Sequence, residues 1–463
     1  MRRYLLPLLF VLTSLFQLAA QPVPANPTYD KIAEDVLHAT GVPSASLAVV
    51  RDGKVVYLRA YGLANIDAKM PAQPFMRYSV GSISKQFTAA AILLLQQQGK
   101  VSLDDKVAKW IPGLTDGDKV TIRQLLSHTS GYQDFWPQDY VMPEMLQSTT
   151  AQHILDKWAK IPLDFTPGTK WQYSNTNYVI AGLIIQKAAG KPVLGFLQER
   201  VFIPLGMKSV ANTDQEKLPA SDPTGYMRYA LGPLHPAPKE GKGWMFAAGE
   251  LAMTAEDLAR WDISMINQTV LSPASYKQME TEVLLANGAG TRYGLGVFVG
   301  LRRGHRYINH DGEVSGFVSA NTVFPDDHDA VVVLTNQDAI GAASQIADKI
   351  GNTFFIPEGG ETAKASELAK QVFSGLQQGK IDRALFTANC NAYFDETALH
   401  DYASSLGPLG NIVEFELAGE SLRGGMVHRS YQVKLDKGAV DINSFWMPDG
   451  KIEQFIVTPH DAS

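Results

Sequence analysis

The sequence predicts an α+β fold: an antiparallel β-sheet flanked by helices, an all-helical lobe, and a small separate α+β domain after them. Three observations predict it. Strand-like runs flank an Asp52-Gly53 turn near the start, a second group of strand-like runs lies between Tyr293 and Asn336, and helical spacing fills the interval between them. Strands at both ends of one domain close most simply as one antiparallel sheet, with the terminal helices covering it. A chain of 463 residues also exceeds one ordinary domain.

The elements follow in order. MRRYLLPLLFVLTSLFQLAA has a basic start, an apolar centre and small residues at its end, so residues 1–20 are expected to be a signal peptide cleaved after Ala20. The apolar run is short of the ~20 residues that span a bilayer, and no later segment is apolar enough to do so. Tyr29 to Thr40 has helical spacing and stops at Gly41. SASLAVVRDGKVVYLRAYG reads as a hairpin about its Asp-Gly turn. Thr88 to Gln98 is rich in good helix formers and closes at Gly99. YGLGVFV, RYINH, SGFVSANTVF and AVVVLTN read as strands, and DAIGAASQIADKIGNTFF as a helix. A boundary is expected near Pro357-Glu-Gly-Gly360, giving a first domain over 29–356. Within 364–463, Lys364 to Gln378 reads as a helix, and Trp446 to Phe455 as a second hairpin about Asp449-Gly450. The helix-then-strands order of 364–463 resembles an NTF2-like or cystatin-like module at the level of fold.

Composition narrows function. The formal charge is −6 and no basic run follows Arg3, which argues against a nucleic-acid partner. The single cysteine, Cys390, permits no internal disulfide and reads as a buried small hydrophobe. The ten histidines show no metal-ligand spacing, so no metal is expected; no organic cofactor is expected either.

Three segments carry candidate chemistry. In YSVGSISKQF, Ser82 and Lys85 stand at i and i+3 on one helix face, either a nucleophile beside its base or two polar residues on a wet helix end. First-turn N–H groups there favour a developing oxyanion. In WQYSNTNY, Tyr173 precedes a helix. A phenolate serves as a base only if its pKa falls from about 10, and a Lys85 ammonium nearby would push it down. The plainer reading is a surface Tyr with Asn175 as a helix cap. In HDGEVSGF, Gly312 permits close backbone approach to a ligand, and N–H groups along that edge could serve an oxyanion. The plainer reading is a tight turn with an exposed His310. His128 in LLSHTSGY reads as structural, and Glu250 in AAGELAM as a helix start.

Together, Ser82-x-x-Lys85, Tyr173-x-Asn175 and His310-x-Gly312 resemble the serine β-lactamase and penicillin-binding-protein-like superfamily, in particular its class C β-lactamase, DD-peptidase and esterase branch. QLLSHTSG, FTPG, PLGM and AGELAMTAEDL strengthen the likeness, which covers about residues 29–352. The resemblance implies a Ser82 acyl-enzyme, Lys85 assisting deprotonation and Tyr173 shuttling the proton. It implies Asn175 orienting the substrate, and an oxyanion hole from the N–H groups of Ser82 and Glu313. The family's β-lactamases carry Lys-Thr-Gly where this chain has His310-Asp311-Gly312, so the cation that would hold a β-lactam carboxylate is missing. The expectation is a secreted or periplasmic serine hydrolase for a small ester or peptide. The rivals are a β-lactamase or DD-peptidase, or a non-catalytic ligand sensor of the same fold. Oligomeric state is left open.

Overall fold

The computed structural model describes residues 25–355 and 361–460. The expected leader and the Pro357–Gly360 boundary lie outside the described residues. The chain forms two compact units that divide between Gly351 and Asn352, a few residues before the expected end of the first domain at 356.

In the first unit, α1 (Pro27–Thr40) starts at an Asn26 cap and ends on Gly41 in the left-handed region. Strands β1 (Ser44–Arg51), β2 (Lys54–Asn65) and β3 (Met70–Pro71) follow. The first hairpin turns on Asp52 and Gly53, both with positive φ, so Arg51 faces Lys54. That is the two-residue turn whose twist matches the strands. Late in the unit come β4 (Phe298–Arg302), β5 (His305–Val314), β6 (Phe317–Phe324) and β7 (Asp329–Thr335). The sheet order is β3-β2-β1-β7-β6-β5-β4. Its two halves join where β1 pairs antiparallel with β7, from Ala45–Thr335 to Val50–Ala330. The predicted closure of chain start onto chain end is thus the observed one.

The helical lobe centres on α2 (Ser84–Gln97) and α3 (Asn175–Ala189), which pack together. Every α2 residue from Ser84 to Leu95 is buried. A helix apolar around its whole circumference belongs in the interior, and here Phe87 packs on Trp261 of α4 (Ala255–Asn267) and on Phe202. Gly99, at φ 68, terminates the run as the sequence predicts. The helix α5 (Ala342–Thr353) buries Ile346 and Ile350.

One predicted boundary moves. His310 to Val314 is not a turn between strands but the second half of β5, paired with β6 through Val314–Phe317. Asp-Gly signals a turn locally, yet His310, Gly312 and Val314 alternate inward along this segment. Burying that face outweighs the turn propensity.

The second unit has α6 (Glu361–Leu376), α7 (Ala388–Tyr393) and α8 (Glu396–Leu406), then β8 (Ile412–Arg423), β9 (Met426–Leu435), β10 (Gly438–Trp446) and β11 (Ile452–Pro459) in sequential antiparallel order. Cys390 is buried in its core beside Phe386 and Phe394, and burial pushes the thiol up to about 11. The β10–β11 hairpin is present, but its turn runs from Met447 to Lys451 rather than being the two residues Asp449-Gly450. Among the described residues, no single helix is long and apolar enough to cross a membrane.

Because α2 is enclosed on every side, Leu93→Ala should destabilise the first unit by about 2–5 kcal/mol. Chemical denaturation of the full chain against wild type measures it.

Candidate active site

Ser82 lies in a one-turn 3-10 helix, Gly81–Ile83, that runs directly into α2. Gly81 has φ 51, a left-handed turn that swings the chain from the short strand Tyr78–Ser79 onto the helix. Ser82 and Lys85 therefore share the first turn and one face, as their spacing predicts.

Lys85 is not on a wet helix end: it is wholly buried. Its Nζ donates to Ser82 Oγ at 2.9 Å, Asn175 Oδ1 at 2.8 Å and the Ala248 carbonyl at 2.8 Å. One turn on, Thr88 Oγ1 donates to the Ala247 carbonyl at 2.7 Å, so α2 grips that loop at two points. The Lys85 ammonium faces the Tyr173 and Tyr178 rings at 5.0 and 5.5 Å. Burial pushes Lys85 down to about 7, with the Asp134 carboxylate pulling the other way. A large share of Lys85 is consequently a neutral amine near neutral pH, which makes it a competent base.

Tyr173 lines the same cleft as Ser82, whose hydroxyl acts on the phenol. The expected lowering of its pKa does not occur. Burial raises the phenol well above its ordinary value, with a smaller opposing effect from Ser82 and a further rise from Asp134. Tyr173 is therefore a protonated phenol at working pH, suited to relaying a proton rather than to starting as a phenolate. His128 fixes its position. The His128 carbonyl accepts the Gln172 N–H at 3.0 Å and its Nδ1 accepts the Ser174 N–H at 3.1 Å, so both chain neighbours of Tyr173 are tied to one residue. The two rings lie 4.3 Å apart. Burial holds His128 well below its usual pKa, and it stays neutral.

The third segment reaches the same place. Pairing of β5 with β4 stops at Asn309, so His310 to Val314 form an open edge along the cleft. Gly312 is required for a different reason from the one its sequence suggests. A Cβ there would lie 1.9 Å from the Val80 carbonyl and 2.5 Å from Ser319 Oγ. The glycine lets β5 press against the segment that carries Ser82. A Cβ on Gly81 would likewise lie 2.7 Å from the Glu313 main-chain N, which places that N–H beside the turn that carries Ser82. His310 is buried, not exposed. Its Nδ1 donates to the Asp311 carbonyl at 2.5 Å and its Nε2 accepts from Tyr293 Oη at 3.0 Å. Burial, then the charge of Lys85, push it down to about 3. It is a neutral imidazole.

Asn175 begins α3, with its amide held at both ends: Oδ1 by Lys85, and Nδ2 by Asp134 at 3.3 Å. Asp134, Tyr293 and the Ala248 carbonyl are the parts that sequence reasoning missed. Asp134 and Tyr293 belong to none of the quoted motifs, Ala248 opens AGELAMTAEDL but its carbonyl carries no sequence signal, and each joins the site only through tertiary packing. Glu250 is likewise not at a helix start. It is a buried carboxyl accepting from Asn212 Nδ2 at 2.9 Å, just before the short strand Leu251–Met253. Ser82, Tyr173, Asn175 and His310–Glu313 all line one cleft of about 960 Å³. No group of metal-binding side chains occurs among the described residues.

A sequence model of the Beta-lactamase family matches residues 29–350. The chain belongs to the beta-lactamase family. Membership places it among serine hydrolases of the β-lactamase-like superfamily. Among curated relatives, Penicillin-binding protein 4* of Bacillus subtilis (strain 168) is 27% identical over 309 residues, 64% of this chain and 68% of the relative. Protein flp of Staphylococcus aureus (strain N315) is 29% identical over 319 residues, and the matched stretch spans 66% of this chain but only 62% of that protein's length. Among solved structures, the D-amino acid amidase of Ochrobactrum anthropi SV3 superposes with a TM-score of 0.64 at 26% identity, covering 71% of this chain and 98% of the amidase. In this member of the beta-lactamase family the first unit carries the whole match, and the second unit lies beyond it.

The Gly312 contact gives a direct test of the joint. Gly312→Ala should leave the chain folded by circular dichroism while lowering kcat/KM on an activated ester by roughly 10²-fold, because the Val80–Ser82 segment must back away from β5. Unchanged kinetics would show that this contact does not set the site.

Proposed function

We propose that this chain hydrolyses amide or ester bonds through an acyl-enzyme on Ser82. Its preferred acyl donor is a small amino-acid amide, peptide or ester with a free ammonium group. The observation that carries the reading is the contact of Ser82 at 2.9 Å with a buried Lys85 whose pKa is brought down to about 7, with Tyr173 lining the same cleft. As Ser82 Oγ attacks the acyl carbon, its proton passes to Lys85, directly or through Tyr173, and then to the leaving amine or alcohol. The N–H groups of Ser82 and Glu313 are the donors proposed for the oxyanion, each worth several kcal/mol at the transition state in such sites, about 2.7–4 per donor. Water then attacks the ester carbonyl as its proton passes to Lys85, directly or relayed by the Tyr173 phenol; the bond from the acyl carbon to Oγ breaks, and Lys85 returns a proton to Ser82 Oγ. The open edge of β5 is proposed to align the acyl chain, with Asn175 beside it.

Charge supports the substrate class. Among the described residues lining the cleft are Asp134, Asp139, Asp311, Glu313 and Asp338, and no Lys or Arg. Burial raises Glu313, and the nearby Asp338 and Asp139 raise it further. His310, neutral, supplies no cation where a β-lactam carboxylate would bind. A like-charged pair at 4 Å costs about 1–4 kcal/mol between bulk water and a protein surface, enough to disfavour an anionic acyl donor about fivefold or more. The amidase likeness, at 26% identity, is consistent with an amino-acid amide. The leader-like residues 1–20 support export to a secreted or periplasmic location.

The test is steady-state kinetics on D- and L-amino-acid amides, their N-acetyl forms, p-nitrophenyl acetate and nitrocefin, with Ser82→Ala as control. Free-amine substrates should exceed N-acetyl ones in kcat/KM by about fivefold or more, nitrocefin should be poorest, and Ser82→Ala should be inactive. Absence of turnover on every substrate would refute the hydrolase reading, and preference for nitrocefin would refute the charge argument.

A further inference from the structure

Asp134 lies outside the three motifs, yet its carboxylate reaches Lys85 through a single intermediary. Oδ1 accepts the Asn175 main-chain N–H at 2.8 Å and the Trp136 N–H at 3.2 Å, and Oδ2 lies 3.3 Å from Asn175 Nδ2. The same amide turns its Oδ1 to Lys85 Nζ at 2.8 Å. A side-chain amide has one accepting end and one donating end. Flipped over, it would set its oxygen against the Asp134 carboxylate and its NH2 against Lys85 Nζ. The first contact would be repulsive, so the carboxylate selects the orientation observed.

That orientation decides what Lys85 can do. A neutral amine has two N–H bonds and one lone pair. Three neighbours surround Nζ: Asn175 Oδ1, the Ala248 carbonyl and Ser82 Oγ. Two of them are acceptors only. They take the two N–H bonds, and the lone pair is left facing the one neighbour that has a proton to give. With the amide flipped, an N–H bond of Lys85 would be free to turn to Ser82 and the lone pair to Asn175.

We propose that Asp134 is a positioning residue for acylation: it holds the Asn175 amide with its oxygen toward Lys85, and so aims the amine lone pair at Ser82. The inference rests on the hydrolase reading above. In the step concerned, the Ser82 Oγ–H bond breaks as the bond from Oγ to the acyl carbon forms, and the proton goes to Lys85 Nζ.

The other titratable groups facing Lys85 leave Asp134 as the one carboxylate acting on it. Tyr173 and Tyr178 are held protonated by burial, and His128 and His310 are held neutral by it. The charge of Asp134 favours the Lys85 ammonium against the effect of burial. Removing that charge therefore moves the Lys85 titration further down, and the acid limb of the rate profile with it.

The experiment compares kcat/KM against pH for wild type and Asp134→Asn on p-nitrophenyl acetate, with circular dichroism on each. An asparagine at 134 keeps its oxygen on the Asn175 and Trp136 N–H groups and turns its NH2 toward the Asn175 amide, which no longer selects the observed orientation and favours the flipped one. The expected result is a fall in kcat of roughly 10²-fold with KM changed by less than about threefold, and an acid limb displaced to lower pH. Should Asp134→Asn not fold, Asp134→Ser is read in the same way. A merely structural role would reduce the folded fraction and leave the limb in place, so an unmoved limb in a folded variant overturns the proposal. A wild type inactive on every ester would instead sink the hydrolase reading.

Discussion

The site depends on burying one amine. Lys85 sits in a helix with no solvent-facing side, and the cost of desolvating an ammonium there is what brings it down toward neutrality. Everything around it follows from making that burial tolerable. Two fixed oxygens accept its N–H groups, two aromatic faces flank it, and a carboxylate stands one residue away. An unpaired buried charge would be destabilising by several kcal/mol, whereas an amine that loses its proton avoids most of that penalty and gains a use as a base. The same desolvation acts in the opposite direction on Tyr173, whose neutral form is the protonated one. One environment thus leaves an amine able to take a proton beside a phenol that keeps its own.

Geometry is set by contacts between main chains rather than by side-chain reach. Gly312 and Gly81 leave no room for a Cβ between β5 and the turn that carries Ser82. His128 pins both flanks of Tyr173. Ser82, Tyr173 and the open strand edge therefore come from three elements held against one another. Preorganised donors of this kind need no rearrangement when charge develops. Replacement of a cationic third motif by a buried neutral imidazole leaves that frame intact and changes only what the cleft attracts.

What was legible in the sequence was local. Asp52-Gly53 announced its hairpin because the turn chemistry is contained in two residues. Ser82 and Lys85 shared a face because helical spacing requires it. The second Asp-Gly pair marked a hairpin correctly but not its length, since the turn closes between Met447 and Lys451. A third Asp-Gly, at 311–312, was no turn at all, because burial of alternate residues in β5 outweighs local propensity. The direction of the Tyr173 shift was misjudged for a related reason. Sequence names the neighbouring charge but gives no measure of burial, and burial is the larger effect here. Asp134 was invisible because it acts across 41 residues of chain separation, on Asn175.

The account stands or falls on the protonation state of one side chain. Following the 15Nζ or 13Cε resonance of Lys85 against pH in the intact protein, with Lys85→Arg to assign it, measures that state directly. The account predicts a midpoint near 7, matching the pH at which Ser82 becomes reactive. A Lys85 that keeps its proton until about pH 10, the value of an ordinary lysine, would contradict it.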